Sequence, residues 1–151
     1  MKTPFRILVV IICAFFMQLV SCSKKHDPKS TTDIQLDKLR ANWKATHVTS
    51  DGVSQDGYAN FVLSFTGSEG SKSFSYATGS RPFVSPWEAT GAFSFDTSKP
   101  AEILHRDDDV EVNYTVTATT LTLQFNFSGP GYVSGRASSL TGKWIFEFQK
   151  Q

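Results

Sequence analysis

The sequence is poor in the residues on which catalytic and metal chemistry most often depend. Two cysteines and three histidines occur in 151 residues, and the histidines at positions 26, 47 and 105 lack the spacing of zinc ligands. The sequence contains no Gly-x-Ser-x-Gly motif and no phosphate-binding glycine loop. These absences argue against a hydrolase, a zinc enzyme and a nucleotide-binding protein. We therefore expect a chain that is not an enzyme and needs no cofactor or metal.

The sequence also lacks an excess of charge of either sign. Lysine and arginine number 15, aspartate and glutamate 14, and the formal net charge is +1. A near-neutral surface gives no electrostatic reason to bind nucleic acid. The densest acidic run, "HRDDD" at residues 105–109, has neither the alternating oxygen ligands nor the bend glycine of a calcium loop. It predicts a solvated turn.

Long apolar runs are confined to the amino terminus. Lys2 and Arg6 precede the uncharged run "ILVVIICAFFM", residues 7–17. An apolar core of about 7–15 residues is typical of a secretory signal peptide, whereas crossing a bilayer takes about 20 residues. We predict a signal peptide over residues 1–21. The polar stretch that follows predicts a flexible tether over residues 22–35, and residues 36–151 have the length of one domain.

A cysteine stands at the end of the predicted signal peptide. The residues Leu19-Val20-Ser21-Cys22 resemble the lipobox of bacterial lipoproteins. The resemblance implies cleavage before Cys22, a diacylglyceryl group on its sulfur and acylation of the new amino terminus. Two or more acyl chains hold a protein on a membrane, while one chain binds only marginally. We therefore expect lipidation of Cys22 and a membrane anchor.

The residues after Cys22 bear on location. Lys24 and Lys25 stand where surface-exposed lipoproteins of Bacteroidetes often carry acidic residues. Ser23 does not resemble the aspartate that retains enterobacterial lipoproteins in the inner membrane. The expected location is the outer membrane, with the periplasmic side preferred over the cell surface.

From residue 36 onward the apolar residues alternate with polar ones. The segments "VEVNYTV", "LTLQFNF" and "KWIFEF" are examples, and this period of two is typical of half-buried strands. We predict eight strands, over residues 42–50, 58–66, 72–79, 89–96, 101–107, 110–118, 120–127 and 143–149. A helical pattern occurs only in "DIQLDKLRA", residues 33–41. Short consecutive strands favour an antiparallel up-and-down meander closed as a β-barrel, with a β-sandwich as the alternative.

Two segments at the ends of this region carry a family resemblance. "LRANWKATHVTSDG" near the start and "GKWIFEFQK" at the end, with the meander between them, are similar to the lipocalin-like domains of small Bacteroidetes lipoproteins. The matching features are a tryptophan opening the first strand and Gly-x-Trp opening the last. The resemblance covers roughly residues 36–151. It implies a lipocalin-like barrel and the binding of a small ligand.

The predicted loops suggest where a ligand binds. In a meander, alternate connections lie at the same end, so "DGVSQDG", "SRPFVSPWE" and "SGPGYVSGRASSLTG" are expected to gather opposite the tether. The candidate ligand-binding residues in these loops are Arg81, Phe83, Trp87, Tyr132 and Arg136. Because prolines restrict the backbone around them, Phe83 and Trp87 are predicted either to form a platform for a sugar ring or hydrophobic partner, or to fold back and plug the barrel.

The aromatic content of the inward faces predicts a solid core, so a ligand is expected to bind shallowly at the mouth. Two functions follow. The first is a monomeric, lipid-anchored module that binds a small hydrophobic molecule or a glycan at the membrane-distal loops. The alternative is a structural or interaction lipoprotein whose solid barrel docks an envelope protein.

Overall fold

A computed structural model describes residues 28–131 and 139–151. The predicted signal peptide, Cys22, Tyr132 and Arg136 lie outside the described residues. Within them the chain forms one helix and nine strands. The elements are α1 Thr31–Leu39, β1 Asn42–Ser50, β2 Val53–Ser54, β3 Val62–Thr66, β4 Phe74–Gly79, β5 Thr90–Phe95, β6 Ile103–Arg106, β7 Glu111–Val116, β8 Thr120–Pro130 and β9 Ser139–Lys150.

The strands form one antiparallel sheet that closes on itself. From β3 to β9 each strand pairs with the next along the chain, β1 pairs with β3, and β9 returns to pair with β1. The short strand β2 pairs with the end of β1 as a ninth strand. The structure is therefore a closed eight-stranded antiparallel barrel with one extra strand, as predicted, and not the alternative β-sandwich. Closure removes the edges that such apolar strands would otherwise expose.

Several strand boundaries differ from the prediction. The second predicted strand begins only at Val62, because the N–H of Phe61 donates to the carbonyl of Tyr58 in a turn. β8 continues to Pro130, past the predicted end at residue 127. β9 begins at Ser139, before the predicted start at residue 143. Their added residues do not alternate in hydropathy. They form strands because their backbones pair with each other, so the last predicted loop is shorter than expected.

The two ends of the barrel differ in what covers them. The helix α1 leads into β1 at one end, which we call the helix end, and the N–H of Gln151 donates to the carbonyl of Asn42 there. The opposite end, the loop end, carries the connections 51–61, 80–89 and 107–110, together with Pro130 and Ser139. The connections after the first and third predicted strands lie at the end opposite α1, as predicted, while residues 132–138 of the last predicted loop lie outside the described residues.

Helix α1 closes the helix end. Ser30 caps it by accepting a hydrogen bond from the N–H of Asp33, so it begins two residues before the predicted start. Leu36 and Leu39 are fully buried. The indole Nε1 of Trp43 donates to the carbonyl oxygen of Leu39 at 2.8 Å, which ties the last turn of α1 to β1.

Side chains fill the interior between the two ends. Tyr76, Tyr114 and Trp144, predicted to point inward, are all buried, and Phe125 stacks on Phe146 with ring centroids 5.8 Å apart. The solid core predicted from the aromatic content is confirmed. The buried phenylalanines are Phe61, Phe65, Phe74, Phe93, Phe95, Phe125, Phe127, Phe146 and Phe148.

A carboxylate just after β5 is held in its charged form by three hydrogen bonds. The Nε2 of His105 lies 3.0 Å from Oδ2 of Asp96, and the N–H groups of Ser98 and Lys99 donate to Oδ1 at 2.8 Å. The hydrogen bond with His105, followed by the two backbone bonds, lowers the pKa of Asp96 to about 2 from its ordinary 3.8.

Because the pKa of Asp96 is lower in the folded chain, its carboxylate stabilises the fold above about pH 4 and loses that contribution as the pH falls toward 2. We expect Asp96→Asn to lower the melting temperature at about pH 5. The difference from the unsubstituted chain should shrink between about pH 4 and pH 2. Thermal unfolding followed by circular dichroism measures this, with Asp56→Asn in an exposed loop as the control. A difference that does not change with pH would contradict the assignment.

Candidate functional site

In the loop 80–89, the two aromatic residues predicted to form a platform point in different directions. Trp87 is 1% exposed, whereas Phe83 is 68% exposed. The two side chains therefore do not form one platform. Trp87 plugs the barrel, and Phe83 projects into solvent. Arg81 holds the loop closed, since its Nη1 donates to the carbonyl oxygen of Trp87 at 2.6 Å.

The plug is held by the loop's own polar and apolar contacts. The hydroxyl of Ser85 is fully buried, accepts from the N–H of Trp87 at 3.2 Å and lies 3.5 Å from the hydroxyl of Tyr58. On the other side the loop packs against the end of β8. A Cβ on Gly131 would lie 2.5 Å from Val84 Cγ1, so only glycine permits this approach.

A charged residue that the sequence prediction missed lies beneath this plug. Arg106 ends β6 and is only 4% exposed. The Cζ of its guanidinium lies 4.4 Å from the ring centroid of Trp87, 5.5 Å from that of Phe125 and 5.8 Å from that of Tyr76. A cation over an aromatic face in a desolvated site gains about 2 kcal/mol. Together with Asp108, these residues are called the Arg106 cluster below.

Asp108 supplies the negative charge of the cluster. Its Oδ2 accepts from Nη2 of Arg106 at 2.5 Å, and its side chain is 18% exposed. The prediction of a solvated turn over residues 105–109 is therefore wrong for Arg106 and Asp108. One signal was present in the sequence. Arg106 lies two residues after Leu104, and so shares the inward face of β6.

The cluster presents several hydrogen-bond donors without acceptors. Nε and Nη1 of Arg106, the hydroxyl of Tyr76, and Nε1 of Trp87 and Trp144 are buried and have no partner among the described residues. Buried polar groups almost always have a partner, and each one left without costs about 1–3 kcal/mol. Trp144 belongs to the same region, because it is the register partner of Phe125. A ligand that brings acceptor atoms would satisfy these groups.

The hydroxyl of Tyr76 keeps its proton throughout the physiological range. Burial raises its pKa to about 12, against a smaller lowering by the charge of Arg106. Its ring lies against the backbone of β5 at Gly91, where a Cβ would come 2.4 Å from the hydroxyl oxygen. Gly91 is thus the position that admits this tyrosine, and the hydroxyl adds a neutral donor to the cluster.

An open groove of about 340 Å³ reaches the cluster from the outer face. Residues 108–111 form one bank, residues 124–126 the other, and Lys143 lies beside them. The groove follows from the strand pairing. The β7–β8 register runs only as far as Asn113 and Gln124, although β7 begins two residues earlier and β8 continues. Asp108 and Phe125 line the groove and also contact Arg106. Its volume is in the range of small-molecule sites.

No group of three or more His, Cys, Asp or Glu side chains in residues 28–131 and 139–151 is placed to hold a metal ion. The same residues include no helix with the length and hydropathy needed to cross a membrane. What the loop end supplies is a buried cation, aromatic ring faces and unpartnered donors.

The Arg106–Asp108 pair should contribute to stability. Asp108→Asn removes the acid that, among the described residues, is bonded to the buried guanidinium of Arg106, and we expect it to lower the free energy of unfolding by about 3 kcal/mol. The matched control is Asp109→Asn one residue later, where the positive φ suits asparagine and the expected change is within about 0.5 kcal/mol. Urea unfolding of both variants measures the difference. Equal effects of the two substitutions would show that the pair is not buried.

Comparison of the chain with protein-family models, with curated proteins and with solved structures finds no match. The resemblance to the lipocalin-like domains of Bacteroidetes lipoproteins therefore stays a prediction. The barrel itself rests on its own strand pairing. What the protein does has to be inferred from the loop end and the Arg106 cluster.

Proposed function

We propose that this protein is a lipid-anchored envelope lipoprotein whose lipocalin-like barrel binds a small ligand at the loop end, without catalysing a reaction. The observation that carries the proposal is the state of Arg106. Its guanidinium is buried at 4% exposure, and two of its three nitrogens have no hydrogen-bond partner among the described residues. A group of this kind is costly unless something else satisfies it.

The cluster's chemistry narrows the class of ligand. The unpartnered nitrogens of Arg106, Trp87 and Trp144 can only donate, and the hydroxyl of Tyr76 can donate as well, so a ligand with acceptor oxygens or nitrogens would satisfy them. Trp87 and Phe125 surround the guanidinium with apolar rings, which favours a ligand whose body is flat or apolar next to those acceptors. A small hydrophobic molecule with a polar head meets both requirements, and so does a sugar ring. Because the core is filled, the ligand binds at the end of the barrel and in the adjoining groove.

The proposed anchor places this site away from the membrane. The lipobox-like segment ending at Cys22 supports lipidation there. The chain would then enter the barrel at the helix end, while the Arg106 cluster lies toward the loop end. In this arrangement the site faces the periplasm from an outer-membrane anchor.

One observation favours a second function, the docking of an envelope protein. Phe83 is 68% exposed at the loop end, on a loop whose other side is firmly packed. Large aromatic side chains are frequent anchors of protein interfaces. Substitution Phe83→Ser would abolish docking and leave small-ligand binding at Arg106 intact, so the two functions can be tested separately.

The tryptophan indole N–H signals in a nitrogen–proton correlation spectrum test ligand binding. We expect a probe that binds, from a set containing benzoate, benzamide, heptanoate and methyl glucoside, to shift the signals of Trp87 and Trp144. The signal of Trp43 should stay, since its Nε1 is bonded to Leu39 at the opposite end. Arg106→Met should abolish the shifts. If no probe moves the two signals, or if the variant responds equally, the proposed site is wrong.

The two cysteines provide a matched test of the anchor. We expect Cys22→Ser to abolish labelling of the chain by radioactive palmitate and to move it from the membrane fraction to the soluble fraction of a bacterial host. Cys13→Ser changes a cysteine inside the predicted signal peptide and should leave both properties unchanged. Labelling that survives in Cys22→Ser would place the lipid elsewhere.

A further inference from the structure

We propose that the ligand binds through a carboxylate, and that Asp108 occupies the place of that carboxylate on Arg106 until the ligand arrives. This inference rests on the proposed function and deepens it by naming the recognised group. The opening through which the ligand reaches Arg106 is the groove between β7 and β8, rather than the loop end that Trp87 covers.

The two members of the ion pair differ in how easily they can leave it. Arg106 lies on a strand, beneath Trp87 and next to Phe125, and is 4% exposed. Asp108 lies in the turn between β6 and β7, and its side chain is 18% exposed. Rotation of the Asp108 side chain toward water would therefore rehydrate its carboxylate without opening the barrel. Arg106 would then need a new anion, since an unpaired buried charge is strongly unfavourable.

The guanidinium also offers more donors than Asp108 uses. Only Nη2 is bonded to Asp108, while Nε and Nη1 have no partner among the described residues. The backbone of its turn limits where the Asp108 carboxylate can be placed. A ligand carboxylate is not restrained in this way and can take the edge of the guanidinium with the best bidentate geometry. A carboxylic acid is thus favoured over a neutral ligand of the same shape.

The groove fits a ligand of about one ring. Its volume is about 340 Å³, and a dry cavity of about 150 Å³ is enough to hold benzene. Phe125 and Asp108 line it and are the two residues shared with the cluster. A ligand entering here meets Asp108, the more exposed partner of the ion pair. Benzoate is therefore the probe, and benzamide is its neutral match.

Other acidic side chains in the groove repel an anion at long range. Asp109 and Glu111 line it beside Asp108, and Lys143 is the one lysine among the lining residues. Asp109 and Glu111 are exposed, so salt screens them over about 8 Å at physiological ionic strength. The bond to Arg106 is made in a buried site, where screening is weak. Recognition is therefore decided at short range, by whether a second carboxylate competes for the guanidinium.

The test compares benzoate and benzamide on the full chain purified in detergent, with the Trp87 and Trp144 indole signals as the readout. We expect benzoate to bind about tenfold more tightly than benzamide. Asp108→Asn removes the competing charge and should tighten benzoate binding by about tenfold, with benzamide unchanged. Asp56→Asn, in an exposed loop outside the groove, is the control and should change neither affinity. Asp108→Glu keeps the competing charge, so benzoate affinity should stay within about threefold of that of the unsubstituted chain.

Equal affinities for benzoate and benzamide would overturn the inference, as would weaker benzoate binding by Asp108→Asn. In the first case the proposed function survives if both probes shift Trp87 and Trp144 and lose the effect in Arg106→Met. If neither probe moves the signals in any variant, both proposals fail together. Should Asp108→Asn fail to fold, the preference of the unsubstituted chain for benzoate and the Asp108→Glu affinity still decide the outcome.

Discussion

Burial of the Arg106 guanidinium is the constraint on which the loop end of this barrel depends. Taking such a charge out of water costs several kcal/mol, which has to be offset locally. Asp108 offsets part of it through the bond to Nη2, and the ring of Trp87, 4.4 Å from the guanidinium carbon, offsets another part. Two nitrogens are left without a partner in the described chain. This uncompensated part of the cost is the reason for proposing a binding site at this end of the barrel.

The architecture around Arg106 serves this arrangement. Pairing of β1 with β9 closes the sheet, and α1 packs its buried leucines over the helix end. The loop 80–89 covers the Arg106 cluster at the loop end, fixed by the bond from Arg81 to the carbonyl of Trp87. The short β7–β8 ladder leaves the groove at the side. The proposed ligand site is therefore at the margin of the filled barrel and not in a central cavity.

The sequence predicted the barrel better than the site. Alternation in β7, β8 and β9 is strong enough to place Tyr114, Phe125 and Trp144 on the inner face without the structure. The extra strand β2 was missed because a strand of two residues is too short to show an alternation of apolar and polar residues. The ends of β8 and β9 were missed because they form through backbone pairing alone.

The cluster was missed for a different reason. Arg106 lies two residues after Leu104 and so faces inward with it. A charged residue next to three aspartates is ordinarily solvated, however, and the prediction followed this composition and not the alternation along the strand. The separation of Trp87 from Phe83 was not predictable either. Both stand in the same proline-rich loop. Which ring turns inward is decided by the hydrogen bonds of Ser85 with Trp87 and Tyr58 and by the packing of the loop on the end of β8. Such long-range contacts have no local signal in a single sequence.

The central claim is that Arg106 is held inside the barrel against aromatic rings. A nitrogen–proton correlation experiment tuned to arginine side chains tests it most directly. The account predicts one Nε–H signal that exchanges slowly with water, shows nuclear Overhauser contacts to the ring protons of Trp87 and disappears in Arg106→Met. If every arginine Nε–H exchanges as fast as in an unfolded peptide, and none contacts Trp87, then Arg106 lies in solvent and the account is contradicted.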